Sequence, residues 1–312
     1  MRQDEFSLPD APHDSPLRAP VGRGHADLHI HTSASDGCLS PAEVVALAAR
    51  EGFAAIAICD HDTVAGIPEA IAAAEEVGLE LIPGIELAAD LGKNEVHILG
   101  YCFDYRSPSL AAVTRRLCEE RRKRIKKMIR LLRDLGVALD TSGIDRAATF
   151  GSVGRMHVAR ALVEQQFVAD LGEAFSRYIG RGKPAYVSRA HLSPAEACAL
   201  IAQAHGVPVL AHPSVLDNDT LIPRLVKDGI MGIEAFYPSR GPDRGDSPPN
   251  RACKTVRPEL AEHYCRLAQK WGLLVTGGSD CHQSEEGNFL IGTVRLDYSY
   301  VEKLKQKAAA GR

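Results

Sequence analysis

The chain has 312 residues, of which 45% are hydrophobic and 25% are charged, so it can bury the core of one large or two modest globular domains. Its formal net charge of −3 excludes the global basic field that proteins use for nonspecific adhesion to nucleic acid, and with it long duplex DNA as a main partner. No run of about 18 apolar residues is present, so no membrane span is expected.

The cysteines and the first residues indicate the compartment. Eight cysteines are spread without a C-x-x-C pair or a regular spacing, which argues against a zinc knuckle or a disulfide framework and suits a reducing cytoplasm. Residues 1–24 carry Pro, Asp, Arg and Gly but no apolar h-region, so we interpret them as a disordered tail and not as a secretory signal. No obligate protein partner is evident.

Between residues 25 and 105, short apolar runs alternate with helical patterns. The segment Ser40-Pro41-Ala42-Glu43 offers a Ser N-cap, Pro at the first helical position and the Glu of a capping box, and predicts a helix that ends at Gly52. An Ala-rich helix starts at Gly66-Ile67-Pro68-Glu69 and stops at Gly78. This alternation predicts right-handed crossovers and a parallel sheet.

The pattern changes between residues 106 and 194. Ser109 to Leu135 predicts one long charged helix, with apolar residues three and four apart and a basic run from Arg121 to Lys127. Thr149 to Arg160 predicts another helix, with Ser152 as its cap. Because no strand alternation is visible, we expect residues 106–194 to form a helical insertion that caps one face of a barrel.

The alternation resumes at Ser193-Pro194-Ala195-Glu196, a second capping box. A strand at Gly232 to Phe236, a loop from Tyr237 to Asn250, a helix from Pro258 to Trp271 and a strand that leads to Asp280 follow. We therefore predict that residues 25–105 and 195–300 form the barrel and that residues 301–312 form a C-terminal helix or tail.

Side chains that bind metals stand at or near the ends of the predicted strands. His29 and His31 are two residues apart on a strand, so their imidazoles share one face and can hold one cation. The full set is His29, His31, Asp36, His61, Glu86, His97, His212, Asp280 and His282. Since functional residues collect at the carboxyl ends of parallel strands, we expect these side chains to converge.

The chemistry of this set points to phosphoester hydrolysis. Imidazoles mixed with carboxylates, without thiolates at metal spacing, suit manganese, iron(II) or zinc, and we favour manganese. We expect two or three divalent ions, because Glu86 can bridge two of them. Ions about 3.5–4 Å apart can clamp a phosphoryl group and lower the pKa of a bridging water.

Six strings, in order and spacing, resemble the motifs of the PHP (polymerase and histidinol phosphatase) superfamily: DLHIHTSASDG, AICDHDTVAG, IPGIE, VHILGY, LAHP and GGSDCH. The insertion strings GRMHVARALV and YIGRGKPAYV resemble those of the nucleoside 3′,5′-bisphosphate phosphatases and the 5′-to-3′ exoribonucleases of short RNA. The resemblance implies a distorted, TIM-like (β/α)7 barrel. It also implies removal of the 3′-phosphate from nucleoside 3′,5′-bisphosphates and, in addition, exonuclease action on short RNA.

The resemblance further implies which residues hold each ion. One ion is assigned to His29, His31, Glu86 and Asp280, a second to Glu86, His97 and His212, and a third to Asp36, His61 and His282. A hydroxide would attack phosphorus in line, and a nearby acid would protonate the leaving alcohol. The identity of that acid stays open among Asp36, His61 and His212.

Phosphate recognition is expected from the insertion, since the barrel motifs are committed to metal. Arg155, His157 and Lys183 are the candidates, because Arg suits bidentate contact and Lys acts as a point charge. For the basic run from Arg121 to Lys127 a solvated helix face is the preferred interpretation, although a patch facing the site could guide RNA. Asp60 and Asp62 could orient His61.

Two alternatives stay open on the sequence. The chain could be a phosphatase of another small metabolite such as histidinol phosphate, which a small acidic pocket would favour over a base-stacking one. It could also be a metal-binding module without catalysis, which the complete ligand set argues against.

Overall fold

The computed structural model describes residues 24–188, 192–216, 218–239, 255–282 and 291–311. The predicted tail up to residue 23 and the predicted loop between 240 and 250 lie outside these residues. The described strands are β1 (His25–Ile30), β2 (Ala55–Ile58), β3 (Glu80–Leu91), β4 (Asn94–Tyr101), β5 (Val207–Leu210), β6 (Gly232–Phe236), β7 (Pro238–Ser239), β8 (Thr255–Val256), β9 (Leu274–Gly277) and β10 (Leu296–Asp297).

The described helices lie mostly between and after these strands. They are α1 (Pro41–Arg50), α2 (Ile67–Val77), α3 (Pro108–Asp134), α4 (Ser142–Phe150), α5 (Arg155–Glu164), α6 (Leu171–Ala174), α7 (Pro194–Gln203), α8 (Ile222–Asp228), α9 (Pro258–Trp271) and α10 (Tyr298–Ala310), with a π-helical turn at Phe175–Ile179. None of the helices in the described part of the chain is both long and apolar enough to cross a membrane.

Eight strands form one curved sheet in the order β10-β1-β2-β3-β4-β5-β6-β9. The two ends of the sheet approach each other, because the N–H of His31, just after β1, donates to the carbonyl of Cys281, just after β9, at 2.9 Å. Ile30 and Cys281 also form a parallel bridge. The sheet is therefore a nearly closed barrel surrounded by helices, which confirms the predicted barrel class.

The expectation of a parallel sheet is wrong at β4. β1, β2 and β3 run parallel, as do β5, β6 and β9, but β4 is antiparallel to both β3 and β5. The turn between β3 and β4 consists of Gly92 and Lys93, and Gly92 has a φ of +66°. Such a short hairpin needs positive φ, which glycine adopts without strain, so no crossover helix is required.

The predicted helix starts are confirmed where the sequence has Ser-Pro-x-Glu. The N–H of Ser40 donates to Glu43 at 2.8 Å, and the N–H of Glu43 donates back to the Ser40 hydroxyl at 3.3 Å. Ser193 and Glu196 form the same reciprocal pair at the start of α7. These caps satisfy backbone donors that the first helical turn cannot pair internally.

Residues 108–179, which contain α3 to α6 and the π-helical turn, are called the helical layer below. They share a hydrophobic cluster of their own, which includes Ile125, Met128, Leu132, Val158 and Leu162. The extent of the predicted insertion, 106–194, stays a prediction, and so does the barrel division on either side of it.

Ser152 is not the helix cap that the sequence suggested. α4 ends at Phe150 and α5 starts only at Arg155, where the N–H of Gly154 donates to Nδ1 of His157 at 3.1 Å. The chain between the two helices lies against the loop after β1, because the N–H of Ser152 donates to the carbonyl of Ala34 at 2.9 Å. A Cβ on Gly151 would lie only 1.9 Å from that oxygen, so this close approach requires glycine.

Candidate metal centre

All nine predicted ligand side chains lie together at one end of the barrel. β1 carries His29 and delivers His31, β3 carries Glu86, and β4 carries His97. The turns after β1, β2, β5 and β9 deliver Asp36, His61, His212, and the pair Asp280 and His282, respectively. The alternation of strand side chains places His29 and His31 on the same face.

Four ligand atoms form the first group. Nε2 of His29 and Nε2 of His31 are 3.1 Å apart. Oε2 of Glu86 and Oδ1 of Asp280 each lie 3.3 Å from Nε2 of His31 and 3.6 Å from Nε2 of His29. Ligand atoms about 2.0–2.2 Å from a single ion lie roughly 3–3.6 Å from one another, so this set fits one divalent cation.

The other oxygen of Glu86 belongs to a second group. Oε1 of Glu86 lies 2.8 Å from Nδ1 of His97 and 3.0 Å from Nε2 of His212, and the two nitrogens are 3.3 Å apart. Glu86 therefore presents one oxygen to each group, which is the geometry that a bridging carboxylate requires.

A third group forms around Asp36. Oδ1 of Asp36 lies 3.3 Å from Nε2 of His282, and Oδ2 lies 3.9 Å from Nε2 of His61. Nδ1 of His31 also lies 3.9 Å from Oδ1 of Asp36, so the His31 ring separates the first group from the third. His61 faces two groups, because its Nδ1 lies 2.9 Å from Oε2 of Glu86.

Several buried polar atoms of this cluster make no hydrogen bond of good geometry, which fits a site for a cation. They include Nδ1 of His31, Oδ1 of Asp36, Nδ1 of His61 and Oε2 of Glu86. Such atoms cost free energy when buried without a partner, and a cation placed among them would compensate that cost. The donor set of imidazoles and carboxylates fits manganese, iron(II) or zinc.

The electrostatics of the cluster favour ionised carboxylates. Burial would raise the pKa of the Glu86 carboxyl, but the facing imidazoles of His61, His97 and His29 outweigh burial and hold this pKa well below its usual range. Burial is outweighed in the same way at Asp36, where the neighbouring His282 and His61 lower the pKa of the carboxyl far below normal. Both groups are thus available as anionic ligands at neutral pH.

Two of the candidate ligands have strained backbones. His212 has a φ of +25° and Asp280 a φ of +49°, in the region that residues with a side chain rarely adopt. The surrounding structure must impose these conformations, and strain of this kind is concentrated at functional sites. In these backbone conformations both side chains point toward the cluster.

Two buried carboxylates beside the candidate ligands are absent from the residues that the sequence singled out. Glu234 accepts from Nδ1 of His29 at 3.0 Å and from the N–H of His212 at 2.7 Å, which leaves the Nε2 lone pair of His29 facing the first group. Asp27 accepts from the N–H of Ser279 at 2.8 Å, and burial raises the pKa of Asp27 to about 7. A carboxylate in the middle of an apolar strand, as in Gly232 to Phe236, is the signal that could have revealed Glu234.

We expect Glu234→Gln to weaken metal binding by about 10- to 100-fold, because partners that orient ligating imidazoles typically have effects of this size. Metal content after dialysis and a manganese titration by calorimetry measure the change. Glu262→Gln removes an exposed carboxylate from α9 and serves as the control. An unchanged manganese affinity in Glu234→Gln would contradict the orienting role.

Asp60 and Asp62 hold the loops around the cluster. Asp60 accepts from the N–H and hydroxyl of Thr32 at 2.8 and 2.6 Å and from the hydroxyl of Ser35 at 2.5 Å. Asp62 accepts from Nε of Arg121 at 2.6 Å. These contacts fix the loop after β1 and join the barrel to the helical layer. The orientation of His61 by Asp60 and Asp62 stays a prediction.

A pocket of about 140 Å³ opens beside the cluster, between the barrel and the helical layer. Its lining residues are Asp36, His61, Glu95, His97, Arg121, Arg124, Gly154, Arg155, Met156 and Phe175. Of the three predicted phosphate-binding residues, Arg155 lies in this wall, with its guanidinium 5.6 Å from the centre of the Phe175 ring. The ring of His157 accepts a hydrogen bond from the N–H of Gly154 and contacts the backbone of Ser35. Lys183 is exposed in the turn after residue 180.

The interpretation of the basic run as a solvated face is wrong for two of its residues. Arg121 and Arg124 are only 8% and 9% exposed and line the pocket. Lys123 between them is exposed and pairs with Glu120 at 2.7 Å. Arg121 and Arg124 lie on the stripe that also buries Ile125 and Met128, and this helical spacing is the signal that could have identified them.

Comparisons with known proteins agree with the geometry. The family model described as the PHP domain matches residues 27–178. A 5′-3′ exoribonuclease of Haemophilus influenzae is 41% identical over 256 residues, which cover 82% of this chain and 89% of the relative. A 3′,5′-nucleoside bisphosphate phosphatase of Chromobacterium violaceum is 35% identical over 272 residues, 85% of this chain and 90% of the relative.

The fold is shared with a solved structure as well. A candidate metal-dependent phosphoesterase from Bifidobacterium adolescentis superposes with a TM-score of 0.78 and 28% identity over 90% of this chain and 96% of that chain. Three observations lead to one conclusion: the cluster of imidazoles and carboxylates, the barrel, and the similarity to these proteins along most of their length. The chain belongs to the PHP family and is a metal-dependent phosphoester hydrolase.

Proposed function

We propose that this hydrolase removes the 3′-phosphate from nucleoside 3′,5′-bisphosphates, giving a 5′-nucleotide and phosphate, and that it releases 5′-nucleotides from short RNA. The observation that carries the proposal is the shared pocket, in which candidate metal ligands stand opposite Arg121, Arg124 and Arg155. One phosphate would lie at the metal ligands and a second at the arginines. The relatives named as bisphosphate phosphatase and exoribonuclease support this substrate class.

The charge of the pocket favours a nucleotide over histidinol phosphate. Three arginines and one carboxylate, Glu95, line it beside the candidate ligands. Arg121 is neutralised in part by Asp62, which its Nε contacts at 2.6 Å. Glu95 faces Arg155 at 3.9 Å. Because the three guanidinium groups outnumber the carboxylates of Asp62 and Glu95, a cationic amine would be repelled, whereas a second phosphate would be attracted and could accept charge-assisted hydrogen bonds.

The proposed ligands are the nine residues of the cluster, with manganese as the proposed metal. Divalent ions bound there would supply an activated water at neutral pH and would neutralise charge on the phosphoryl oxygens. The chain itself keeps the ligands in place through Glu234. Asp36 and His61 both line the pocket. Because the neighbouring imidazoles hold the Asp36 carboxyl in its ionised form, we place the proton transfer to the leaving alcohol on His61. His212 is directed instead toward Glu86, at 3.0 Å.

The proposal also covers the insertion and the compartment of the protein. Residues 106–194 would form an insertion that covers the site, since Arg121, Arg124, Arg155 and Phe175 of the helical layer contribute to the pocket. The cytoplasm is the proposed location, because eight cysteines without disulfide spacing suit a reducing compartment.

A substrate comparison tests the proposed function. Manganese-loaded protein is assayed for phosphate release from adenosine 3′,5′-bisphosphate and from histidinol phosphate, and for nucleotide release from a short 5′-phosphorylated RNA. We expect kcat/KM for the bisphosphate to exceed that for histidinol phosphate by at least about 100-fold, since hydrogen bonds to charged groups contribute roughly 1.5–3 kcal/mol each. A preference for histidinol phosphate, or no turnover of either nucleotide substrate, would overturn the proposal.

A further inference from the structure

Three consecutive residues of the loop after β1 are contacted by the helical layer, two of them through hydrogen bonds to their carbonyls. The carbonyl of Ala34 accepts from the N–H of Ser152 at 2.9 Å. The backbone of Ser35 contacts the ring of His157. The carbonyl of Asp36 accepts from Nη2 of Arg160 at 2.7 Å.

The ring of His157 is suited to this contact by its tautomer. Its Nδ1 accepts from the N–H of Gly154 at 3.1 Å, at the start of α5, so this nitrogen carries a lone pair. The proton of the neutral ring is then on Nε2, and the ring also contacts the backbone of Ser35 in the loop. One side chain therefore caps α5 and fixes the loop at the same time.

The barrel holds the other half of the loop. Asp60 accepts from Thr32 and from the hydroxyl of Ser35, and the carbonyl of Thr32 accepts from the N–H groups of Ser35 and Gly37, each at 2.9 Å. Among the contacts that hold the loop, those to the Asp36 carbonyl and the Ala34 carbonyl come from the helical layer. The direction of the Asp36 side chain is thus determined by both parts of the molecule.

We propose that Arg160 and His157 are positioning residues for the third metal position, the one formed by Asp36, His61 and His282. The inference rests on the proposed ligand role of Asp36. Arg160 should have the larger effect on the loop, because its guanidinium keeps its charge at every accessible pH and donates to the Asp36 carbonyl at 2.7 Å. His157 then acts on the loop and not on the substrate phosphate.

The proposal separates the third position from the other two. The first group consists of His29, His31, Glu86 and Asp280, and the second adds His97 and His212, none of which lies between Ala34 and Asp36. Loss of the Arg160 contact should therefore release Asp36 while leaving these groups intact. A general loss of folding would instead weaken all three positions.

Manganese binding, measured separately from activity, tests the inference. Full-length wild-type protein and the variants Arg160→Gln, Arg160→Lys and His157→Gln are titrated with manganese by calorimetry, and bound metal is counted after gel filtration. Arg177→Gln is the control, because Arg177 is an exposed arginine of the same layer that pairs with Glu173 at 3.0 Å. The metal-free melting temperature of each variant shows whether the fold is retained.

We expect three manganese equivalents in the wild type and in Arg177→Gln. In Arg160→Gln the weakest equivalent should bind about 10- to 100-fold less tightly with the first two unchanged, as found when a residue that holds a metal ligand is replaced. Arg160→Lys should recover part of the affinity, since an ammonium can still donate a hydrogen bond to the Asp36 carbonyl. If Arg160→Gln does not fold, Arg160→Lys and His157→Gln give the same comparison.

Two results would overturn the inference. Three unchanged equivalents in both Arg160→Gln and His157→Gln would show that the helical layer does not position Asp36. Only two equivalents in the wild type would remove the third position and the inference with it. Phosphate release from adenosine 3′,5′-bisphosphate by the wild type tests the proposed function independently of either result.

Discussion

Replacing Glu86 with glutamine is expected to lower phosphate release from adenosine 3′,5′-bisphosphate by about 1,000-fold or more. Oε2 of Glu86 faces His29, His31 and His61, while Oε1 faces His97 and His212. An amide can supply one weak oxygen ligand, so it cannot bridge two positions. Several kcal/mol of charge stabilisation depend on the ions, and each 1.4 kcal/mol is a factor of ten in rate.

Metal content and steady-state kinetics measure this effect together. Glu86→Gln should lose at least one manganese equivalent, and its kcat should fall along with the metal. Glu80→Gln is a matched control on the same strand. The Glu80 carboxylate contacts Lys305 at 2.5 Å on the outer surface. The kcat of Glu80→Gln should stay within about twofold of the wild type, as is usual for surface positions. A Glu86→Gln enzyme with wild-type kcat would show that the carboxylate does not bridge catalytic ions.

The convergence of the candidate ligands was predictable because two independent constraints act on most of them. Strand alternation fixes the side on which His29 and His31 point, and parallel strands bring their carboxyl ends to one edge of the barrel. The second constraint does not apply to His97, because β4 is not parallel to its neighbours. It lies on the antiparallel strand β4, opposite Ala88 of β3, and reaches the cluster because the hairpin returns β4 past the carboxyl half of β3.

The residues that the sequence did not reveal depend on tertiary contacts. The acid in the middle of the apolar strand marks Glu234 as unusual, but its role as the partner of His29 and His212 follows only from its position in the fold. Arg121 and Arg124 look like part of a charged helix face until the helix is packed against the barrel, where Asp62 compensates the buried charge of Arg121. The role of His157 likewise follows from its contact with a loop more than a hundred residues earlier in the chain.

Arg155→Gln is expected to raise KM for adenosine 3′,5′-bisphosphate by about 10- to 100-fold while leaving kcat within a few fold. Arg155 is 27% exposed and lies in the pocket wall, 3.9 Å from Glu95 and stacked near Phe175. This guanidinium can bind the phosphate that is not cleaved. Loss of a hydrogen bond to a charged group costs roughly 1.5–3 kcal/mol, which corresponds to this change in affinity.

A substrate with one phosphate separates this role from a general defect. 4-Nitrophenyl phosphate can occupy the metal ligands but has no second phosphate for Arg155, so its kcat/KM should be the same in the wild type and in Arg155→Gln. Arg155→Lys should recover only part of the affinity for the bisphosphate, because an ammonium cannot make the bidentate contact of a guanidinium. Equal losses for both substrates would place Arg155 at the cleaved phosphate, and no loss for either would remove it from the substrate site. The ratio of the kcat/KM values for the two substrates therefore measures how far the arginine side of the pocket, and not the metal side, determines which phosphoesters this enzyme selects.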